Sequence, residues 1–202
     1  MIRVEPTDEP ASFDDRCRQR GKAWIASHTS WTRLPDYWTE FRPNLRAAFE
    51  ERCAYLGLWI ASGTVDHFRS QAGADGTSLA YEWSNYRYSE HGVNSAKKPA
   101  WDGRILDPFE VQDAWFEVHL PSCLLRLVEA NVPHCLLERA RFTVEKLRLD
   151  QGEDIVALRR EWLRMHEDEG LSLDGLRRKA PLVARAVERR NALEAQPGPT
   201  RT

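Results

Sequence analysis

The sequence has few of the features that mark secreted or membrane-spanning proteins. No stretch approaches the roughly 20 apolar residues that cross a bilayer, and the first residues form no apolar signal core. Only four cysteines occur in 202 residues, too few for a disulfide scaffold, so we expect reduced and mostly buried thiols at Cys17, Cys53, Cys123 and Cys135. The sequence therefore predicts a soluble, cytoplasmic protein with no membrane partner.

An excess of positive charge is also missing. Lysine and arginine number 29 against 31 aspartate and glutamate, which gives a formal net charge of −2. A protein that binds nucleic acid through its overall charge is expected to be basic, so any DNA contact must come from a local patch or a partner protein. One basic run is a candidate for contact with the DNA backbone: Arg177, Arg178 and Lys179. Such runs are usually solvated helix faces, which is the alternative interpretation.

The hydrophobic pattern predicts an α+β protein in which a small β-containing finger is embedded in a mainly helical chain. Helices are expected over 13–27, from Pro43 to Gly57, and over most of 131–195, including a last helix over 173–195. The expected division is a flexible N-terminus (1–12), N-terminal helices (13–57), a finger with a following hairpin (58–130), a C-terminal helical region (131–195) and a disordered tail (196–202). With 42% hydrophobic residues the chain can bury a substantial core.

The finger region shows a strand, turn, strand, loop and helix pattern. Residues 58–61 and 64–68 predict two short strands joined at Ser62-Gly63, because branched and aromatic residues flank that pair. Residues 69–80 are rich in small and polar residues and predict a loop, and a short helix is expected within 81–98, ending near Gly92. A second hairpin is expected over 115–120 and 123–128.

This order of elements brings chemistry-bearing residues together. Asp66 ends a predicted strand and Asn94 lies in the following helical segment, and their oxygen atoms are ligands that Mg²⁺ prefers. Neighbouring strand residues point to opposite faces, so His67 cannot easily share a metal with Asp66 and is free to act as a base.

The Asp-His pair, a downstream Asn and Asn-x-x-Lys together resemble the HNH endonucleases, whose ββα finger holds one divalent metal. The resemblance implies that Asp66 and Asn94 bind Mg²⁺ or Mn²⁺ and that His67 activates the attacking water. It further implies that Asn85 orients the His67 imidazole or braces the loop, and that Lys97 lies near phosphate. His91 is a possible further phosphate or substrate contact.

A wider resemblance runs from about Leu45 to Trp115, through Arg52-Cys53-Ala54-Tyr55, Glu82-Trp83-Ser84-Asn85 and Ile105-Leu106-Asp107-Pro108, and again over 140–159. It is similar to a bacterial HNH subgroup whose members often accompany ATPases in anti-phage defence systems. It implies hydrolysis of DNA, with double-stranded DNA favoured and RNA left open, and an ATPase as partner. A non-catalytic DNA-binding or scaffold subunit that retains the finger is the alternative.

The chain departs from many HNH proteins at the positions of their zinc-binding cysteines. Of the two expected Cys-x-x-Cys pairs only one thiol is present, and the four positions are Cys53, Leu56, Glu90 and Val93. A structural zinc needs about four ligands, so no zinc is expected and apolar packing should brace the finger. The tryptophans at every seventh position predict core packing in preference to a platform for stacked bases: Trp24, Trp31 and Trp38.

Overall fold

The computed structural model describes residues 1–72 and 76–195 and has an α+β architecture. Its helices and strands are α1 (Arg20–Ser27), α2 (Arg42–Ala48), β1 (Thr64–His67), β2 (Tyr86–Ser89), α3 (His91–Ala96), β3 (Phe116–His119), β4 (Leu124–Leu127), α4 (His134–Lys146), α5 (Glu153–Glu167), α6 (Leu173–Lys179) and α7 (Pro181–Glu194). A π-helical segment, Asp14–Gln19, precedes α1 directly. The predicted α+β class is confirmed, with helices and two small antiparallel sheets in the described residues.

Strands β1 and β2 and helix α3 form the unit that holds the candidate site. The two strands pair antiparallel, with Asp66 opposite Arg87 and His67 opposite Tyr86. Helix α3 follows β2 after one residue, because the Glu90 side chain accepts a hydrogen bond from the Val93 N–H and caps the helix. The chain therefore runs strand, strand, helix, with α3 in contact with β1.

The predicted pairing of 58–61 with 64–68 is wrong. Strand β1 pairs with residues 86–89, which were expected to be helical, while Trp59 forms only an isolated bridge with Arg52. All four residues of β2 are buried, so the alternation of aromatic and polar residues in Tyr86-Arg87-Tyr88-Ser89 does not correspond to one buried and one exposed face. The helix expected within 81–98 covers only α3, and the interruption or end expected near Gly92 is wrong, because α3 begins at His91 and continues through Gly92.

Two predicted helices are shorter in the structure. Helix α2 ends at Ala48 instead of Gly57, because Glu50 and Glu51 adopt positive φ angles of 50° and 61° that no α-helix continues through. The single helix expected over 173–195 is two helices, α6 and α7, since Pro181 has no N–H to extend the first.

The N-terminal end of the chain differs from expectation at its first two residues. Met1 and Ile2 are buried in the core, so the expected flexible N-terminus is wrong for these two residues. Ile2 packs against Gly57, where an added Cβ would lie 3.0 Å from the Ile2 Cγ2. The tail predicted over 196–202, with Pro197-Gly198-Pro199, lies outside the described residues.

The C-terminal helices pack on the second hairpin and on the segment that follows α3. The hairpin of β3 and β4 is confirmed, and α7 packs on β3. The buried Thr143 hydroxyl, on α4, accepts a 2.7 Å hydrogen bond from the Leu106 N–H, which ties this helix to the segment after α3. In the described part of the chain, no helix has the length and apolar character needed to cross a membrane.

Candidate functional site

A cleft of about 330 Å³ opens between the end of β1 and helix α3. Four of the residues singled out by sequence line it together: Asp66, His67, Asn94 and Lys97. The remaining walls come from Val65, from the loop after β1 and from the residues after α3, namely Ser70, Gln71, Ala72, Lys98 and Pro99. The strand and helix therefore bring the predicted carboxylate, imidazole, amide and ammonium groups to one place.

Asp66 is the buried acidic centre of this cleft, with 2% of its surface exposed. The Tyr55 hydroxyl donates a 2.6 Å hydrogen bond to Oδ2, and burial together with the Asp66 charge raises the pKa of Tyr55 well above its ordinary value of 10. The Lys97 ammonium lies 2.8 Å from Oδ1 and 2.9 Å from Oδ2. Both carboxylate oxygens therefore have a donor within the protein.

Lys97 makes contacts within the protein that its predicted role near phosphate did not include. Its Nζ also donates to the His67 carbonyl oxygen at 2.7 Å, and its side chain is only 4% exposed. The residue follows α3 in an extended conformation, so its side chain reaches from the helix end to the end of β1. Lys97 is thus the ion-pair partner of Asp66.

The His67 imidazole has a defined tautomer. Its Nε2 lies 2.9 Å from the Ala80 carbonyl oxygen, which can only accept, so Nε2 carries the proton and Nδ1 the lone pair. The Gln71 side-chain nitrogen lies 3.3 Å from Nδ1 and 3.2 Å from Nε2, and it can donate to the lone pair on Nδ1. Burial lowers the pKa of His67 to about 4, against opposing effects of the Ala80 carbonyl and the Asp66 charge. The ring is therefore neutral near pH 7, as a base must be.

Aromatic rings fix the orientation of His67. The Trp38 ring meets the imidazole edge to face with ring centres 4.6 Å apart, and the Tyr86 ring does so at 5.0 Å. The Tyr86 hydroxyl donates to the same Ala80 carbonyl that His67 uses. These contacts differ from those of Asp66, although both residues line the same cleft.

Asn85 lies beside this site and braces the loop, which is one of the two roles expected for it. Its Oδ1 accepts a 2.7 Å hydrogen bond from the Arg69 N–H, and its Nδ2 donates to the carbonyls of Arg69 and Leu79, both at 3.0 Å. The side chain is 5% exposed. Asn85 thereby joins the two ends of the loop that follows His67.

The donor set can be compared with the needs of a hard divalent cation. The described residues contain no group of three or more His, Cys, Asp and Glu side chains placed to hold a metal. Asp66 and Asn94 supply two oxygen donors in one cleft, and Mg²⁺ commonly takes one or two protein oxygens and completes its shell with water and phosphate. The residues fit such an ion, provided that Lys97 releases the carboxylate.

The other residues singled out by sequence lie elsewhere. His91 is exposed at the start of α3, and among the described residues it is not part of the cleft wall. Arg177 pairs with Asp174 and Glu188, and the Lys179 ammonium stacks 4.1 Å from the Trp59 ring centre. Arg178 is exposed, and its backbone carbonyl accepts a hydrogen bond from the Arg52 side chain. The DNA-backbone role of these basic residues stays a prediction.

The tryptophans mostly pack as predicted. Trp24 and Trp38 pack against the core, whereas Trp31 is 39% exposed beside Trp24.

Three of the four positions at which many HNH proteins carry zinc-binding cysteines are buried in this chain. Cys53, Leu56 and Val93 are buried, and the Cys53 sulfur accepts a 3.3 Å hydrogen bond from the Glu90 N–H.

Three contributors to the site had escaped sequence reasoning. Tyr55 binds Asp66, Gln71 approaches His67, and Trp38 orients the imidazole. Tyr55 belongs to the Arg52-Cys53-Ala54-Tyr55 motif, so its position in the resemblance was a usable signal. The other two lie in a loop and in an N-terminal segment, and no local pattern links them to His67.

Comparisons of the chain with known proteins found no relative. No protein-family model, no curated protein and no solved structure matches the chain. The candidate site therefore stands on its own residues and on the sequence resemblance described above.

Proposed function

We propose that this protein is a metal-dependent HNH-type endonuclease that hydrolyses phosphodiester bonds in DNA. The supporting observation is one cleft lined by Asp66, His67, Asn94 and Lys97 at the end of a strand-strand-helix unit. In this proposal the unit is the ββα-metal finger of the HNH family. Carboxylate, neutral imidazole, amide and ammonium are the groups that such a hydrolysis needs.

Each residue has a role in this proposal. Asp66 and Asn94 hold Mg²⁺ or Mn²⁺, which when bound stabilises negative charge on the scissile phosphate and the leaving oxygen. His67 accepts a proton from the attacking water at Nδ1, because Nε2 is already committed to the Ala80 carbonyl. Asn85 keeps the loop in place behind His67.

One observation favours the alternative function, a non-catalytic DNA-binding or scaffold subunit. The Asp66 carboxylate is already neutralised by the Lys97 ammonium and capped by the Tyr55 hydroxyl. A finger that needs no metal to satisfy its buried carboxylate can persist as a structural unit. The two functions differ in whether a divalent cation enters the cleft and whether DNA is cut.

The deciding experiment incubates supercoiled plasmid with the purified chain in Mg²⁺, in Mn²⁺ and in EDTA. We expect nicking that requires the cation and falls at least about 100-fold in His67→Ala, the range for loss of a general base. Manganese binding should survive that change. His134→Ala is the matched control, because His134 is an exposed histidine at the start of α4. Cation-dependent DNA binding without nicking would favour the scaffold function.

The substrate and partner are part of the same proposal. Double-stranded DNA is favoured by the family resemblance, and parallel incubations with RNA test the other nucleic acid. The net charge of −2 is a poor basis for holding DNA alone, so a larger partner such as an ATPase of an anti-phage defence system is proposed to deliver it. Tight DNA binding by the isolated chain in gel filtration would contradict the need for a partner.

A further inference from the structure

The Lys97 ammonium occupies the place beside Asp66 where a metal would be held. Its closest contacts are the two Asp66 oxygens at 2.8 and 2.9 Å and the His67 carbonyl at 2.7 Å, and the Tyr55 hydroxyl lies 3.5 Å away. An ammonium has three N–H donors, so these contacts use its donor capacity. The pair is nearly inaccessible to solvent, with side-chain exposures of 4% and 2%.

A divalent cation cannot join this arrangement without changing it. Mg²⁺ binds carboxylate oxygen at about 2.1 Å, so an ion on Asp66 would lie within about 5 Å of the Lys97 nitrogen. Because water is largely excluded from a buried site, charges there are poorly screened. Two positive groups at this separation therefore repel each other strongly. Binding of the metal and retention of the ion pair therefore compete with each other.

Open space lies beside Lys97 that its side chain can occupy after it leaves Asp66. It lies just beyond the end of α3, and the wall of the open cleft includes both Lys97 and the neighbouring Lys98. A rotation of its flexible side chain would carry the ammonium from Asp66 into this cleft, where a phosphate would lie.

We propose that Lys97 is a displaceable resident cation: it neutralises Asp66 in the metal-free protein, yields the carboxylate to a divalent cation, and then turns to the substrate phosphate. This inference rests on the proposed metal site at Asp66 and Asn94. It assigns the finger a closed, metal-free state in which the buried carboxylate is satisfied and the site is inactive.

The first test titrates Mn²⁺ into the full chain and measures the free ion by electron paramagnetic resonance. Lys97→Met removes the competing charge, and we expect it to bind Mn²⁺ at least about tenfold more tightly than the wild type. Lys98→Met is the control, because Lys98 carries the same charge in the same cleft but is exposed and lies beside Trp101. Its affinity should stay within about threefold, as expected for an exposed charge.

Asp66→Asn separates this inference from the proposed function. If wild-type binding is lost in Asp66→Asn but Lys97→Met binds no more tightly, the competition is refuted and the metal site stands. If Asp66→Asn binds Mn²⁺ as well as the wild type, the proposed site itself is refuted.

A second test needs no variant and remains informative if Lys97→Met fails to fold. The wild-type protein is treated briefly with an amine-acetylating reagent with and without Mg²⁺, and each lysine is quantified by mass spectrometry. We expect Mg²⁺ to raise the acetylation rate of Lys97 at least about tenfold, because release exposes a buried amine. The rate at Lys98 should not change. Equal Lys97 rates in both conditions, at Mg²⁺ concentrations that saturate the site, would overturn the proposal.

Discussion

Replacing Asn85 by aspartate exchanges the side-chain NH2 group for an oxygen atom. The change tests whether this residue braces the loop behind His67. The carboxylate keeps the acceptor for the Arg69 N–H but loses both hydrogen bonds that Nδ2 donates, to the carbonyls of Arg69 and Leu79. The side chain is 5% exposed, so water cannot replace the missing donors.

The magnitude follows from these contacts. Two lost hydrogen bonds cost about 2 kcal/mol, and two buried carbonyl oxygens facing a carboxylate add about 1–3 kcal/mol. We therefore expect Asn85→Asp to lower the free energy of unfolding by about 3–5 kcal/mol near pH 7. Burial beside two acceptors also raises the pKa of the introduced carboxyl in the folded state. The loss should accordingly be smaller near pH 4, where the protonated carboxyl can donate one of the missing bonds.

Urea unfolding at both pH values measures the effect. Asn44→Asp is the matched control, because Asn44 is exposed on α2 and its change should stay within about 0.5 kcal/mol. An Asn85→Asp protein within about 1 kcal/mol of the wild type near pH 7 would refute the bracing role. A loss that is the same at both pH values would refute the assignment of Nδ2 as the donor.

Two further predictions concern groups around the site. In the metal-free protein, the His67 pKa of about 4 lies below its ordinary value near 6.5, so stability is complete above about pH 6.5 and falls by about 3 kcal/mol as the pH drops to 4. His67→Gln should lack this loss, and parallel acid titrations of the two proteins in EDTA check it. Asp107→Asn weakens the buried pair in which Arg87 donates to both Asp107 oxygens, at 2.8 and 2.6 Å. Thermal and urea unfolding should show a loss of about 3–5 kcal/mol, and a loss below about 1 kcal/mol would mean that the pair does not hold β2 in place.

The convergence of the candidate site could be predicted because it depends on local order. Asp66 and His67 end a strand whose apolar and branched residues are evident, and Asn94 and Lys97 are one helical turn apart. In the structure it is β2 that brings them together, because it pairs with β1 and leads directly into α3. The site was therefore predicted from the order of the elements, although the strand that pairs with β1 was not.

The pairing itself could not be predicted from periodicity. Strand β2 is buried on both faces, since Arg87 is satisfied by Asp107 while Tyr86 and Tyr88 pack in the core. The alternation in Tyr86-Arg87-Tyr88-Ser89 is short and is typical of a half-exposed strand, whereas both faces of this strand are buried. The Asp66–Lys97 ion pair was equally hidden, because it depends on where α3 ends and on the Tyr55 hydroxyl, which lies far away in the sequence.

The most direct test of the account is a crystal structure of the protein soaked in Mn²⁺, with the ion located by its anomalous scattering. We predict one strong peak in the cleft, within roughly 2.5 Å of an Asp66 carboxylate oxygen and the Asn94 amide oxygen, with His67 Nδ1 facing a bound water. The Lys97 ammonium should have left the Asp66 carboxylate. An Asp66 still paired with Lys97 at saturating Mn²⁺, or a peak coordinated by other residues, would contradict the central claim.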